Sequence, residues 1–159
     1  MCLRKRPRVS YKEASHFEHV FAESFMRSAS DSFADSPTAV KTERLPRVFI
    51  VDDDRSLLGL LRLIFQDADF EVNTYLDAQT ALTELTSEDP DVIVLDLEMP
   101  VMNGRDFYRA MRGRGINTPV LILSAYGARA AQQELGADSY VDKPFTPEQL
   151  VEAVRALVS

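Results

Sequence analysis

Four short apolar runs, each closing on a polar side chain, constrain this chain more than any other feature. Asp91-Val92-Ile93-Val94-Leu95 runs unbroken into Asp96, and Val48-Phe49-Ile50-Val51 runs into Asp52-Asp53-Asp54. Val120-Leu121-Ile122-Leu123 ends on Ser124, and Tyr140-Val141-Asp142 leads to Lys143-Pro144. Unbroken runs of this length are the signature of strands covered on both faces, which belong to parallel sheets. Ligands gather beyond the carboxyl ends of such strands, so acids, a hydroxyl and an ammonium are expected along one edge.

Between the runs the apolar spacing turns helical, which argues for five repeated βα units. The first strand is expected near 47–51 and the first helix near 55–67, with Leu57, Leu58, Leu61, Ile64 and Phe65 inward. A second strand near 70–74 ends at Tyr75-Leu76 without a strong chemical group. Asp77 then caps a helix whose face is Ala78, Ala81, Leu82 and Leu85, with Pro90 as its stop. After the loop Met99-Pro100-Val101-Met102-Asn103-Gly104, a helix near 105–112 turns Phe107 and Met111 inward and ends at Gly113 and Gly115. A strand near 119–123 and a short helix near 127–134 follow, the latter closing at Leu135-Gly136-Ala137. The last helix opens with Thr146-Pro147-Glu148-Gln149, a threonine cap, a proline at the first helical position and a glutamine completing a capping box. Leu150, Val151, Val154, Leu157 and Val158 form its apolar face. The expected class is α/β: a doubly wound, five-stranded parallel sheet in the order 2-1-3-4-5, which right-handed crossovers require.

Residues 1–46 differ in character, being rich in Ser, Ala and charge, and 28–37 reads as a linker. They are expected to be a mostly disordered N-terminal extension to a folded domain over 47–159. Phe17, Val20, Phe21 and Phe25 fall at helical spacing within it, as a transient helix in a solvated tail or as a docking segment. The extension holds eight Lys and Arg against six Asp and Glu, whereas 47–159 holds ten against nineteen. A domain this acidic is a poor non-specific DNA binder, because phosphate contacts need clustered Lys and Arg. It suits a divalent cation. No run approaches the length needed to cross a bilayer, and the basic start Arg4-Lys5-Arg6-Pro7-Arg8 is followed by polar sequence instead of a signal-peptide core, so a cytoplasmic protein without membrane contact is expected. The single cysteine, Cys2, closes no disulfide within the chain.

In the order 2-1-3-4-5, Asp52, Asp53 and Asp96 sit on adjacent strands. Carboxylates that close raise one another's pKa or recruit a cation, and an all-oxygen site at a solvent edge suits Mg²⁺. With a carboxylate, a metal and Lys143 together, the edge is equipped for phosphoryl transfer to Asp96, which needs charge neutralisation and positioning more than acid or base help. Ser124 is placed to donate a hydrogen bond to the phosphoryl group. Taken singly each residue has a plain alternative: an aspartate after a strand is often a turn or cap residue, and a lone lysine is usually solvated. Convergence of all of them on one edge is what favours chemistry.

Val51-Asp52-Asp53-Asp54, Leu95-Asp96-Leu97-Glu98-Met99-Pro100 with Asn103-Gly104, Leu123-Ser124-Ala125, and Gly136-Ala137-Asp138-Ser139-Tyr140 followed by Lys143-Pro144-Phe145 closely resemble bacterial response-regulator receiver domains. The resemblance covers 47–159 and implies a flavodoxin-like, CheY-like fold in a two-component or phosphorelay system. It implies that Asp96 is a phosphoacceptor served by a histidine kinase or histidine phosphotransfer protein. It implies Mg²⁺ held by Asp53, Asp96 and the main-chain carbonyl of Glu98, with Asp52 acting through a water. Lys143 would pair with the phosphoryl group, Ser124 would move to hydrogen-bond it, Tyr140 would be the aromatic that follows Ser124, and Lys143-Pro144 would be cis. The span from Ser124 to Gly136 is about three residues shorter than is usual in the family, so the fourth helix is expected to be clipped or irregular.

With no sequence beyond Ser159, no DNA-binding output domain is expected in this chain. The leading expectation is a single-domain response regulator, not an enzyme beyond assisting its own phosphorylation and dephosphorylation, that acts on an unspecified output protein by contact or by passing phosphate onward. Two alternatives stand beside it. One is a phosphatase with an aspartyl-phosphate intermediate, suggested by the acid two residues after Asp96; the other is an unphosphorylated pseudo-receiver scaffold.

Overall fold

The structure, a computed structural model, describes residues 44–159. The expectations for residues 1–43, including the apolar face of Phe17, Val20, Phe21 and Phe25, lie outside the described residues. Strands and helices alternate as β1 (Arg47–Val51), α1 (Arg55–Asp67), β2 (Glu71–Tyr75), α2 (Ala78–Glu84), β3 (Val92–Asp96), α3 (Gly104–Gly113), β4 (Val120–Ser124), α4 (Ala128–Leu135), β5 (Ser139–Asp142) and α5 (Pro147–Val158). The five strands pair in parallel in the order β2-β1-β3-β4-β5.

Strand alternation divides the core into two layers. Phe49, Val51, Ile93, Leu95, Val120 and Ile122 face the side covered by α2, α3 and α4. Val48, Ile50, Val92, Val94, Leu121 and Leu123 face α1 and α5, where Leu58, Leu61, Phe65, Leu150 and Val154 complete the packing. Every residue of β3 and β4 is buried, as their uninterrupted apolar runs require.

Local chemistry sets the ends. Asp54 caps α1 by accepting from the amides of Ser56 and Leu57, Asp77 caps α2 through Thr80, and Thr146 and Gln149 form the expected capping box on α5. At the end of α3 the amide of Gly115 donates to Arg112 and that of Ile116 to Met111, with Gly115 left-handed at φ 78°. That is a Schellman closure. The end of α1 closes the same way, but the left-handed position is Asp69, at φ 63°, and Phe65 packs edge-on against Phe70 at 5.5 Å.

Pro90 does not stop α2. That helix ends at Glu84, where the hydroxyls of Thr83, Thr86 and Ser87 donate to the carbonyls of Gln79, Thr83 and Glu84. A cluster of hydroxyl residues offers the backbone local partners that compete with helix continuation. The start of the fold is tied down on the far edge of the sheet, where the Arg44 guanidinium grips both carboxylate oxygens of Asp91 at 2.8 and 2.9 Å.

Candidate functional site

Strand register brings the polar ends together. Val51 lies beside Leu95, Asp96 beside Leu123, and Ser124 beside Asp142, so the residues that follow β1, β3, β4 and β5 emerge along one edge. Asp52 is 1% exposed, Asp96 5% and Ser124 1%; they are the only buried acids and the only buried aliphatic hydroxyl among the described residues. Asp53 is exposed. Buried polar groups are costly unless they are satisfied, and each of these is.

Asp52 accepts from the amide of Asp54 at 2.8 Å and from the Lys143 ammonium at 2.9 Å. Asp96 accepts from the amide of Glu98 at 2.8 Å through Oδ2 and from Lys143 at 2.8 Å through Oδ1. Lys143 therefore bridges two carboxylates, one after β1 and one ending β3. The bridge is anchored by its backbone, whose amide donates to the Ser124 carbonyl at 2.9 Å, and the Lys143–Pro144 peptide is cis. Burial works against the charged ammonium, but the hydrogen bonds and charges of Asp96 and Asp52 outweigh it and hold Lys143 above the ordinary lysine range.

Carboxylate oxygens of Asp52, Asp53 and Asp96 lie within 4.8 Å of one another. Hard oxygen donors at a solvent-facing edge, with one of the three acids exposed, fit Mg²⁺ with water completing its shell. Asp54, the third acid of the run after β1, is turned to the cap of α1 and stands outside this group.

Ser124 is engaged on its other side. Its hydroxyl donates to the Tyr126 carbonyl at 3.1 Å and accepts from the Tyr126 amide at 3.3 Å, so it braces the loop leading to α4. Tyr140 is half-buried against the layer that contains α4.

Three contacts at the site have little signal in the sequence. One is the second carboxylate on Lys143, which needs strand order and register to find. Another is the Ser124–Tyr126 pair, whose only cue is a hydroxyl residue followed closely by a turn. The third is Gly104, where a Cβ would stand 2.2 Å from the Asp96 carbonyl oxygen and 2.7 Å from Leu97 Cα. Gly104 lets the start of α3 press against the end of β3, and its amide donates to the Leu97 carbonyl at 3.0 Å.

Comparison with known proteins agrees with this architecture. Residues 48–155 match the family described as response regulator receiver domain. The chain is 36% identical over 142 residues to the alkaline phosphatase synthesis transcriptional regulatory protein SphR of Synechococcus elongatus, covering 80% of this chain and 55% of that one. It is 42% identical over 116 residues to the transcriptional regulatory protein PrrA of Mycobacterium tuberculosis, covering 71% and 50%. The chain thus spans about half the length of the curated relatives it matches. Among solved structures, the receiver domain of the Francisella response regulator 1452 superposes with a TM-score of 0.67 at 32% identity, over 71% of this chain and 96% of that one. The response regulator TrrA of Thermotoga maritima, solved in complex with Mg²⁺ and BeF, gives 0.66 at 30% identity, over 71% and 99%.

Proposed function

The chain belongs to the response regulator receiver domain family of two-component signalling, and on that premise we propose that Asp96 accepts a phosphoryl group from a phosphohistidine on a histidine kinase or histidine phosphotransfer protein. The phosphorylated domain then acts by contact with an output protein or domain, or by onward phosphotransfer. The observation that carries this reading is the Asp52–Lys143–Asp96 bridge at 2.9 and 2.8 Å, with Asp53 beside it.

In the transfer an oxygen of Asp96 attacks phosphorus, the bond from phosphorus to the imidazole nitrogen breaks, and an acyl phosphate forms on Asp96. Lys143 already lies against Asp96 Oδ1 and is held protonated, so it is in place to pair with a phosphoryl oxygen. The Glu98 amide holds Oδ2 and fixes the rotation of the carboxylate. Asp53, Asp96 and the Glu98 carbonyl would hold Mg²⁺, with Asp52 acting through a water; a bound Mg²⁺ would supply charge neutralisation for the transferring group. Ser124 leaves Tyr126 to donate to the phosphoryl group, and Tyr140 follows it inward. All the side chains the reaction asks for are present, which weighs against a silent scaffold, and the family match weighs against a phosphatase.

Acetyl phosphate, or beryllofluoride with Mg²⁺, is expected to modify the wild-type protein once and to leave Asp96→Asn unmodified. Labelling that survives the substitution overturns the assignment.

A further inference from the structure

Asp52 and Asp96 are held by the same device. Each carboxylate takes the Lys143 ammonium on one oxygen and, on the other, the amide of the residue two further on: Asp54 for Asp52 and Glu98 for Asp96, both at 2.8 Å. With both oxygens engaged, neither carboxylate can turn without breaking a hydrogen bond, and at Asp52, 1% exposed, a broken one leaves a buried charge short of a partner. What holds the amide on Asp52 is a helix. Asp54 is the N-cap of α1, extended at φ -84° and ψ 103°, and its own side chain accepts from the amides of Ser56 and Leu57 at 2.8 and 3.1 Å. Its carbonyl accepts from the Leu58 amide at 2.9 Å. Asp53, the exposed acid of the group, lies between these two fastened residues. The Asp52 amide donates to the Tyr75 carbonyl at 3.1 Å on one side of it and the cap closes on the other, so 52–54 is pinned at both ends.

We infer, resting on the Mg²⁺ reading of Asp52, Asp53 and Asp96, that Asp54 is the positioning residue of that acid group: by capping α1 it aims its own amide at Asp52 Oδ1, and so holds Asp52 and Asp53 in the arrangement a cation requires. Asp54 lies outside the group and touches no reacting atom; it acts through Asp52. Without the cap, residue 54 is free to leave the extended region. Rotation about its φ then turns the amide away from Asp52, whose carboxylate swings on the Lys143 bond that remains. Charge is not what the role asks of this position, since asparagine and serine cap helices about as well as aspartate does. An aspartate that only closed α1 would serve the helix alone, and the acids would not notice its loss.

Mg²⁺ titration of the full chain, followed by amide chemical shifts in about 0.15 M salt to screen distant charges, separates positioning from charge and from helix stability. Asp54→Ala is expected to weaken Mg²⁺ binding about tenfold, the low end of what losing the hydrogen-bond support of a metal's carboxylates costs. Asp54→Asn and Asp54→Ser should stay within about twofold of wild type. Asp77→Ala removes an equivalent cap from α2, a helix that adds no acid to the group, and should leave binding unmoved. In EDTA, where no cation contributes, protection of the residue-54 amide should fall about fivefold in Asp54→Ala, what one net hydrogen bond amounts to, and match wild type in Asp54→Asn. An Asp54→Ala protein that binds Mg²⁺ as wild type does, or keeps that amide protected in EDTA, overturns the positioning role. Asp54→Asn as weak as Asp54→Ala overturns it too, because charge is then what counts. Equal weakening by Asp77→Ala reduces the effect to helix stability and overturns it likewise. A wild type that takes up no Mg²⁺ overturns the metal reading and the cation's part in this inference, while the EDTA comparison still decides whether Asp54 holds Asp52.

Discussion

Lys143 Nζ lies 2.8 Å from Asp96 Oδ1 and 2.9 Å from Asp52 Oδ2, so one ammonium joins the loop after β5 to the ends of β3 and β1. Removing one partner of a buried charge pair leaves the rest uncompensated. Lys143→Met is therefore expected to lower stability in EDTA by about 1–3 kcal/mol, less than a fully enclosed pair because the lysine retains some solvent. The Lys143 pKa is raised, so its contribution is complete below the ordinary lysine value of 10.5 and is lost as pH rises through the higher folded value. Urea midpoints for wild type should fall on the alkaline side, and those of Lys143→Met should fall less steeply there.

Mg²⁺ at a hundredfold excess over its dissociation constant should stabilise the fold by about 2.7 kcal/mol by mass action. Asp53 is the exposed member of the acid group and has no part in the lysine bridge, so Asp53→Ala should abolish the shift without unfolding the protein. Superimposable thermal melts of wild type in EDTA and in Mg²⁺ would show that the acids hold no cation.

Two glycines should respond oppositely to alanine. At Gly104 a methyl group meets the Asp96 carbonyl and the Leu97 backbone, and overpacking against backbone costs about 1–3 kcal/mol. Beryllofluoride uptake should weaken with it, because the phosphoacceptor's own backbone must shift. At Gly59, exposed within α1, a methyl group meets nothing within 4 Å, and Gly59→Ala should add about 0.5–1 kcal/mol. Chemical denaturation of both variants checks the sign.

The acid limb of stability should depend on Asp91. Burial works against its charge, yet the hydrogen bonds from the Arg44 guanidinium and the Arg47 amide, with the charges of both arginines, hold its pKa below the ordinary carboxylate range. Its contribution is present above that range and is lost as pH falls through the depressed folded value. Asp91→Asn should be less stable than wild type at neutral pH, and the difference should close as pH drops below about 4. Urea midpoints across that range decide it.

How much of this was legible depended on the range of each interaction. The strands themselves and the capping of α2 and α5 follow from patterns a few residues long: the unbroken run of β3, Asp77 before an apolar face, Thr146 three residues before Gln149. The acids and Lys143 were visible as strand-end residues because parallel strands deliver their ends to one edge. Arg44 with Asp91 and Lys143 with Asp52 were not, since residues 47 and 91 positions apart meet only after register is set. In sequence Pro90 is a louder stop signal than three hydroxyls, yet it is the hydroxyls of Thr83, Thr86 and Ser87 that lie where α2 ends. The left-handed Asp69 was hidden for a related reason: glycine advertises that conformation and aspartate does not.

Chain order gives the lysine bridge a history. Asp52, Asp53 and Asp96 have all been synthesised before Lys143, and β1 and β3 hold everything needed to pair with each other. Domains begin to organise from the N-terminus as they are made. Any early pairing of β1 with β3 on the ribosome therefore gathers three carboxylates with no ammonium among them, and their repulsion opposes it. In the finished domain the residue after β5 answers that repulsion, its ammonium lying against both Asp52 and Asp96.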